Sequence, residues 1–129
     1  MTNKLKYFVG NWKMFGNFAS IKIVHSIDNF ISKTKKLHTT NKIILCIPYT
    51  LIYFFNKKNK SKYISIGGQN CHHHKHGAFT GSISASMIKQ AGAKYIILGH
   101  SENRIDGDTN KQIKMKIEHA LNKKLNVIF

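Results

Sequence analysis

Short apolar runs recur along the chain, separated by more polar segments. Each run is rich in β-branched or aromatic residues and is followed at once by Gly or Pro, which is typical of buried β-strands. The runs predict strands over residues 5–9, 43–47, 63–66 and 95–98, with a fifth strand beginning at residue 126. Because these runs are nearly continuous rather than alternating, we expect a parallel sheet that is buried on both faces.

The segments between the strands carry helical patterns. The first segment predicts one buried helix face, because its apolar residues recur at three- and four-residue spacing. These residues are Ile23, Val24, Ile27, Phe30 and Ile31. Further helices are predicted over residues 51–55 and 84–91, the second ended by Gly92. The last helix begins at a capping box formed by Thr109 and Gln112. Its predicted apolar stripe comprises Ile113, Ile117, Ala120 and Leu121.

Strands and helices in alternation predict an α/β protein with a parallel sheet and helices outside it. Two architectures fit the pattern: an open doubly wound sheet, and part of an eight-stranded barrel. No low-complexity linker interrupts the chain, so we expect residues 1–129 to belong to one domain. A last strand that begins only at residue 126 favours a truncated larger fold.

Composition adds a strong positive charge. The chain has 21 Lys and Arg residues against five Asp and Glu, a net charge of +16, and its only arginine is Arg104. A basic excess raises the alternative of a nucleic-acid-binding module. However, phosphate and base recognition relies on arginine, and the lysines are spread along the chain without clustered aromatic residues. We therefore favour a solvated lysine surface and expect no nucleic-acid partner.

Two further features bear on location. No apolar run approaches the ~18 residues that cross a bilayer, and the N-terminus lacks a cleavable signal pattern, so we expect a cytoplasmic protein without membrane contact. Cys46 and Cys71 have no metal-ligand spacing, and we expect reduced, structural thiols.

Polar side chains follow the first, third and fourth predicted strands. The carboxyl ends of parallel strands meet at one rim, where the active groups of such folds lie. These side chains are Asn11 and Lys13, then Gln69, then His100, Ser101 and Glu102. An amide, an ammonium and an imidazole at one rim suit a small anionic substrate with a carbonyl group to polarise.

Two other kinds of site are less well supported. Residues 99–103 resemble the G-x-S-x-G turn of serine hydrolases, but the fifth position is Asn103 and no HGGG-type oxyanion element precedes it. The histidines within residues 72–76 offer metal ligands, yet consecutive histidines do not converge on one centre. The chain also lacks a glycine-rich dinucleotide motif and a P-loop. We expect no metal and no cofactor.

Three segments at this rim resemble the triosephosphate isomerase family. They read FVGNWKM over residues 8–14, GQNC and GAFTG over 68–71 and 77–81, and GAKYIILGHSE over 92–102. Their order and spacing match the family across nearly the whole chain. The resemblance implies a TIM (β/α)8 barrel, of which this chain would supply the first four βα units and the start of the fifth strand.

The resemblance also implies an activity. The family interconverts dihydroxyacetone phosphate and D-glyceraldehyde 3-phosphate through an enediolate, in glycolysis and gluconeogenesis. By that resemblance Lys13 would bind the phosphate and stabilise the enediolate charge, and Asn11 would hydrogen-bond a substrate oxygen. His100 would polarise the carbonyl as a neutral electrophile, for which this family is the standard example. Ser101 and Glu102 would complete the site.

The family is usually a homodimer, in which the long loop after the third strand enters the partner subunit. The resemblance places Thr80 in that loop. Ser82 and Asn103 stand where many members carry the Glu and Arg of an inter-subunit ion pair. Because both charges are missing together, neither is left unpaired at the interface. We further expect the histidine-rich residues 72–76 to weaken such a dimer at acidic pH.

The family's glutamate base, its lid and its later phosphate loops would lie beyond residue 129, since a complete barrel takes about 250 residues. General-base catalysis contributes roughly 10²–10⁴-fold, so we expect little isomerase activity from this chain alone. The alternatives are a catalytically inactive half-barrel fragment and, more remotely, the basic nucleic-acid-binding module.

Overall fold

The sheet winds in one direction along the chain. The computed structural model describes residues 5–129. Its strands are β1 (Lys6–Asn11), β2 (Asn41–Cys46), β3 (Ile64–Gly68), β4 (Tyr95–Ile97) and β5 (Asn126–Ile128). All pairings are parallel, and the strand order in the sheet is β1-β2-β3-β4-β5. A doubly wound sheet reverses its strand order partway. The uninterrupted order found here therefore excludes a doubly wound sheet and favours part of a barrel.

Helices connect consecutive strands. They are α1 (Ile21–Ser32), α2 (Lys35–Thr40), α3 (Tyr49–Lys58), α4 (Ala85–Gln90), α5 (Ser101–Ile105) and α6 (Asn110–Asn122), with a 3-10 turn at Phe18–Ser20. The predicted strands and the helices α1, α3, α4 and α6 are confirmed, with bounds shifted by up to three residues. The prediction that the first strand is buried is wrong, because β1 lies at the edge of the sheet and its residues 6–9 are exposed. The short helices α2 and α5 were not predicted, because neither shows a helical period or a glycine cap, whereas the equally short α4 is marked by Gly92 after its C-terminus. Ser101 and Glu102 therefore begin a helix rather than lie in a loop.

The main core lies between the sheet and the helices. Side chains that point outward from the strands, such as Leu45, Ile66 and Ile96, pack with Phe55 of α3 and Ile88 of α4. All five are buried. Fully burying one such side chain contributes about 1.5–3 kcal/mol, so this layer holds the helices against the sheet.

The opposite face of the sheet carries a second, smaller cluster. Ile44, Cys46 and Ile97 are its buried members, and Tyr95 and Ile128 pack against them. The paired register places these residues on the side away from the helices, because alternate residues of a strand face opposite sides. In a closed barrel this side would be the interior.

Helix α1 buries fewer residues than its pattern predicts. Val24 and Ile31 are buried and Ile27 is partly buried, but Ile23 is 50% and Phe30 69% exposed. The prediction of a five-residue buried face is wrong at these two positions. Ile23 and Phe30 are seven residues apart, so they lie on the same side of α1, next to the buried face. In the described structure this side is exposed to solvent.

Helix α6 contributes a lysine to the core. The capping box is confirmed, with Thr109 Oγ1 accepting from the N–H of Gln112. Leu121, predicted in the apolar stripe, is 56% exposed, whereas Lys116 is 3% exposed. A lysine is buried this deeply only when it is paired. Its ammonium donates to Asp108 Oδ1 and Oδ2 at 2.6 and 2.5 Å and to Asn70 Oδ1 at 3.0 Å.

Both cysteines are free and buried, which confirms the prediction of structural thiols. Burial raises the pKa of the Cys46 thiol to about 12 and that of Cys71 to about 11, the latter with a smaller raising contribution from Asp108 and an opposing one from Lys116. Neither thiol is therefore a ready nucleophile at neutral pH. Within residues 5–129, no helix is long and apolar enough to cross a membrane.

Candidate active site

The carboxyl ends of β1 and β4 bring an ammonium, a carboxylate and an imidazole together. Lys13 Nζ donates to Glu102 Oε1 at 2.7 Å, although the two residues are 89 positions apart in sequence. The other carboxylate oxygen of Glu102 lies 3.6 Å from Nδ1 of His100. Glu102 thus touches both Lys13 and His100. The residues that follow β1 and β4 therefore lie together at one rim, as the sequence predicts.

The backbone of Lys13 is in an unusual conformation. Its φ is 52°, in the left-handed region that residues other than Gly rarely adopt. Two hydrogen bonds hold it there. The N–H of Lys13 donates to Asn11 Oδ1 at 3.0 Å, and its carbonyl accepts from Gln69 Nε2 at 2.9 Å. Such strain persists where the surroundings fix it, and it is concentrated at functional sites.

Gln69 links three strand ends. Besides the Lys13 carbonyl, its Nε2 lies 3.2 Å from Asn11 Oδ1 and 3.1 Å from the carbonyl of Cys46, which ends β2. An amide nitrogen has two hydrogens, so these three acceptors share them. The sequence placed Gln69 at the rim but gave it no role. The structure identifies it as the residue that positions Asn11 and Lys13.

Asn11 itself is oriented by this network. Its amide oxygen accepts from both the Lys13 N–H and Gln69 Nε2, so the oxygen faces into the protein. The amide nitrogen is then the group left to donate to a ligand.

His100 is fixed by a bond to its own chain. It caps helix α5, and its Nδ1 accepts from the N–H of Glu102 at 3.2 Å. A nitrogen that accepts a hydrogen bond carries no proton. The neutral imidazole therefore holds its proton on Nε2, where it can be donated to a ligand oxygen.

The turn before His100 is held by Arg104, which the sequence did not single out for this site. Arg104 Nε donates to the Gly99 carbonyl at 2.8 Å, and Nη1 donates to Asn110 Oδ1 at 2.7 Å. Gly99 has a φ of +73°, and a Cβ there would lie 2.6 Å from the Phe129 ring. A side chain at this position would strain the backbone because of the positive φ, and it would also push the Phe129 ring aside.

The charges of the site remain open to a ligand. The side chains of Lys13 and Glu102 are each 52% exposed. The hydrogen bond from Lys13 is the largest influence on the Glu102 carboxyl and lowers its pKa. Desolvation raises the pKa by less, and the charge of Lys13 adds a still smaller lowering effect. Glu102 is thereby kept ionised and is a weak proton acceptor.

The remaining predicted residues lie outside this contact network. Ser101 is exposed at the first position of α5. Thr80 is exposed in the loop between β3 and α4, and Ser82 of the same loop is also exposed. Among the side chains that the structure describes, which exclude that of His38, no three from His, Cys, Asp or Glu are grouped to hold a metal ion.

Sequence comparison identifies the family to which this rim belongs. The sequence model described as triosephosphate isomerase matches residues 6–129. The chain belongs to the triosephosphate isomerase family. A triosephosphate isomerase from Wolbachia sp. subsp. Brugia malayi is 43% identical over 122 residues, which are 93% of this chain and 48% of that protein. One from Taenia solium is 40% identical over 130 residues, 99% of this chain and 49% of the relative.

Structural comparison gives the same family. The crystal structure of triosephosphate isomerase from Bartonella henselae matches with a TM-score of 0.84 and 34% identity, over 94% of this chain and 49% of that one. The five parallel strands with alternating helices thus form a curled half of a TIM barrel, as the resemblance implied. The chain spans about half the length of the curated relatives it matches.

Proposed function

We propose that this chain supplies the phosphate-binding and electrophilic half of a triosephosphate isomerase site. The reaction would be the interconversion of dihydroxyacetone phosphate and D-glyceraldehyde 3-phosphate, in glycolysis and gluconeogenesis. The observation that carries the proposal is the contact of Lys13 with Glu102 and of Glu102 with His100 at the carboxyl ends of β1 and β4.

Lys13 has the role of a charge partner. Its ammonium is half exposed, so it can reach a phosphate or an enediolate oxygen while Glu102 limits its range of positions. A preorganised cation beside a developing negative charge stabilises the transition state more than the ground state. The left-handed backbone of Lys13 is consistent with this role, because strain is kept where geometry matters.

His100 and Asn11 have the role of hydrogen-bond donors to the substrate. With Nδ1 engaged by the Glu102 N–H, His100 presents Nε2–H to the carbonyl that becomes the enediolate oxygen. Asn11 presents its amide nitrogen, because its oxygen is engaged by Lys13 and Gln69. A neutral donor can polarise the carbonyl without fully transferring its proton.

The proton-abstracting base is not among these residues. Glu102 is bound to Lys13 and has a lowered pKa, so it is a poor general base. In the family a carboxylate from the second half of the barrel fills this role, and these 129 residues alone would then turn over substrate poorly. The active form would be a cytoplasmic homodimer, with Thr80 on the loop that meets the partner.

The proposal is tested by completing the barrel. Residues 1–129 are joined to the second half of the Wolbachia relative, and isomerisation is followed with a coupled assay for glyceraldehyde 3-phosphate. We expect activity in the chimera, little in residues 1–129 alone, and a loss of at least 100-fold in the chimera with His100→Gln or Lys13→Met.

A matched control separates the site from general charge effects. Lys111→Met removes an exposed lysine of helix α6 and is expected to leave the activity of the chimera unchanged. A folded chimera in which Lys13→Met and Lys111→Met were equally active would contradict the proposal. Circular dichroism and thermal unfolding show whether each variant is folded.

A further inference from the structure

Exposed lysines collect at the end of the sheet opposite the candidate active site. In a parallel sheet every connection returns to the amino ends of the strands, so lysines spread evenly in sequence are brought to one end in space. We call this surface the basic end. It is defined by six exposed lysines that end a helix or lie between a helix and the next strand: Lys33, Lys58, Lys60, Lys62, Lys94 and Lys124.

Backbone contacts bring the last two of these connections together. The N–H of Lys94 donates to the Ile66 carbonyl at 2.9 Å, and the Lys94 carbonyl accepts from the N–H of Asn126 at 2.9 Å. Lys94 therefore lies between β3 and the start of β5. The carbonyl of Lys124 accepts from Nζ of Lys89 at 2.9 Å, which joins the end of α6 to the end of α4.

The turn before β3 belongs to the same end. Ser61 lies between Lys60 and Lys62, and its hydroxyl donates to Asp28 Oδ1 near the end of helix α1. This contact ties α1 to the turn. Lys33, which follows α1, is thus held at the same end of the molecule as Lys60 and Lys62.

Acidic residues do little to offset this charge. The chain has only five Asp and Glu residues. Asp28 is engaged by Ser61, and Glu118 lies 4.0 Å from Lys114 within α6. The other three lie between β4 and α6, at the carboxyl ends of the strands: Glu102, Asp106 and Asp108. The basic end therefore presents a positive potential that attracts polyanions.

The composition of the basic end favours a planar anionic surface over a nucleic acid. Its charges are all lysine ammonium groups, whereas nucleic-acid sites rely on arginine forks and stacked aromatic residues. Tyr63 and Tyr95, the aromatic residues next to these lysines in sequence, are partly buried. The lysines also come from four separate connections, so they cover a broad end face rather than line one groove.

From this distribution we propose that the basic end binds reversibly to an anionic phospholipid membrane surface. The lysines contact lipid phosphates, while the candidate active site and the loop that carries Thr80 face away, because both follow the carboxyl ends of strands. The contact therefore leaves the proposed dimer surface free. It shares no residue with the proposed isomerase site and does not depend on that function.

The proposal departs from the expectation of no membrane contact, which rested on the absence of a long apolar run. Surface binding through lysines needs no spanning helix. Each lysine close to an anionic leaflet contributes roughly fivefold to binding, which corresponds to about 1 kcal/mol. Several lysines at one end are therefore enough for a measurable, reversible contact.

The test is flotation of residues 1–129 with vesicles of phosphatidylcholine, either pure or with about 30% phosphatidylglycerol to make the surface anionic. We expect at least tenfold stronger partitioning onto the anionic vesicles, lost as KCl is raised from about 50 to 500 mM because salt screens the charges. Equal partitioning onto both kinds of vesicle would overturn the proposal. So would binding that salt does not weaken, since that would indicate an apolar contact.

The net charge of +16 draws every surface of the chain toward anionic vesicles, so matched variants locate the contact. The triple variant Lys60→Gln, Lys62→Gln and Lys124→Gln removes three charges from the basic end. It should weaken partitioning at least twentyfold, and circular dichroism should show an unchanged fold because all three side chains are exposed.

The control removes the same charge from the other end of the molecule. Lys22, Lys111 and Lys114 are exposed and lie in the first two turns of α1 and α6. Replacing all three with Gln should weaken partitioning less than threefold. Equal losses in the two triple variants would show that the basic end is not the contact.

A nucleic acid is the rival partner and is tested by competition. A short duplex or single-stranded oligonucleotide, added at the same phosphate concentration as the anionic lipid, should leave most of the protein on the vesicles. Displacement of most of the protein would assign the basic end to nucleic acid and overturn the membrane proposal.

Discussion

The buried contact between Lys116 and Asp108 gives the most exacting test of the packing. The Lys116 side chain is 4% exposed and the Asp108 carboxylate 15%. Asp108→Asn keeps the shape of the side chain but removes its charge, leaving a buried ammonium with only neutral acceptors. Because Asn70 Oδ1 remains 3.0 Å from the ammonium, the loss should lie at the lower end of the usual range. We expect about 3 kcal/mol, since breaking a buried ion pair by removing one partner costs roughly 3–5 kcal/mol.

Replacing the lysine of the pair should lower the free energy of unfolding by less than replacing the aspartate. Lys116→Met fills the same volume with an apolar chain and leaves a carboxylate that is partly exposed to water. We expect a loss of about 1–2 kcal/mol. The double variant should then be more stable than Asp108→Asn alone, because no buried charge is left uncompensated.

Urea unfolding followed by circular dichroism measures these differences from the midpoint and slope of each transition. The matched control is the exposed pair Lys114 and Glu118, which lie 4.0 Å apart on the surface of α6. Lys114→Met should change the free energy of unfolding by no more than about 0.5 kcal/mol. If Asp108→Asn were as mild as this control, or if the double variant were the least stable of the set, Lys116 and Asp108 would not form a stabilising buried ion pair.

Three further predictions concern titrating groups. Lys13→Met should raise the pKa of Glu102 toward its ordinary value, because the hydrogen bond that lowers it is lost; carboxyl NMR titration detects the change, and an unaltered pKa would exclude the contact. Cys46 and Cys71 should not react with Ellman's reagent at pH 8 in the folded protein, whereas both react in denaturant; rapid native labelling would contradict their burial. Burial, together with the neighbouring imidazoles, lowers the pKa of His73, so the unfolded chain takes up the proton first. Acidification through the ordinary histidine pKa should therefore destabilise this loop and any dimer it forms, and a sedimentation profile unchanged between pH 7.5 and 5.5 would oppose this.

The sequence predicted the fold where its signals were local and repeated. The four apolar runs located the strands, and the spacing of Thr109 and Gln112 located the start of α6. The pattern could not choose between a doubly wound sheet and a barrel, because the order of strands depends on pairing rather than on periodicity. It also misassigned Leu121 and overlooked Lys116, since the partner that makes a buried lysine tolerable comes from outside the helix.

The candidate site also contains some residues that the sequence predicted and others that only the structure identified. The rule that active groups follow the strands, and the resemblance to the family, together named Asn11, Lys13 and His100. The positioning role of Gln69 was not predictable, because it arises from acceptors at the ends of three different strands. The contact of Arg104 with the Gly99 carbonyl was missed for a similar reason: it depends on a five-residue helix that has no sequence period.

In the proposed function, Lys13 and His100 face one small phosphorylated substrate. Titration of isotope-labelled protein with dihydroxyacetone phosphate, followed by NMR of the Lys13 ammonium and the His100 imidazole, tests it directly. We predict that both signals shift with a single dissociation constant and that Lys13→Met abolishes the response at His100. Shifts with two different dissociation constants, or a His100 response that survives Lys13→Met unchanged, would contradict it.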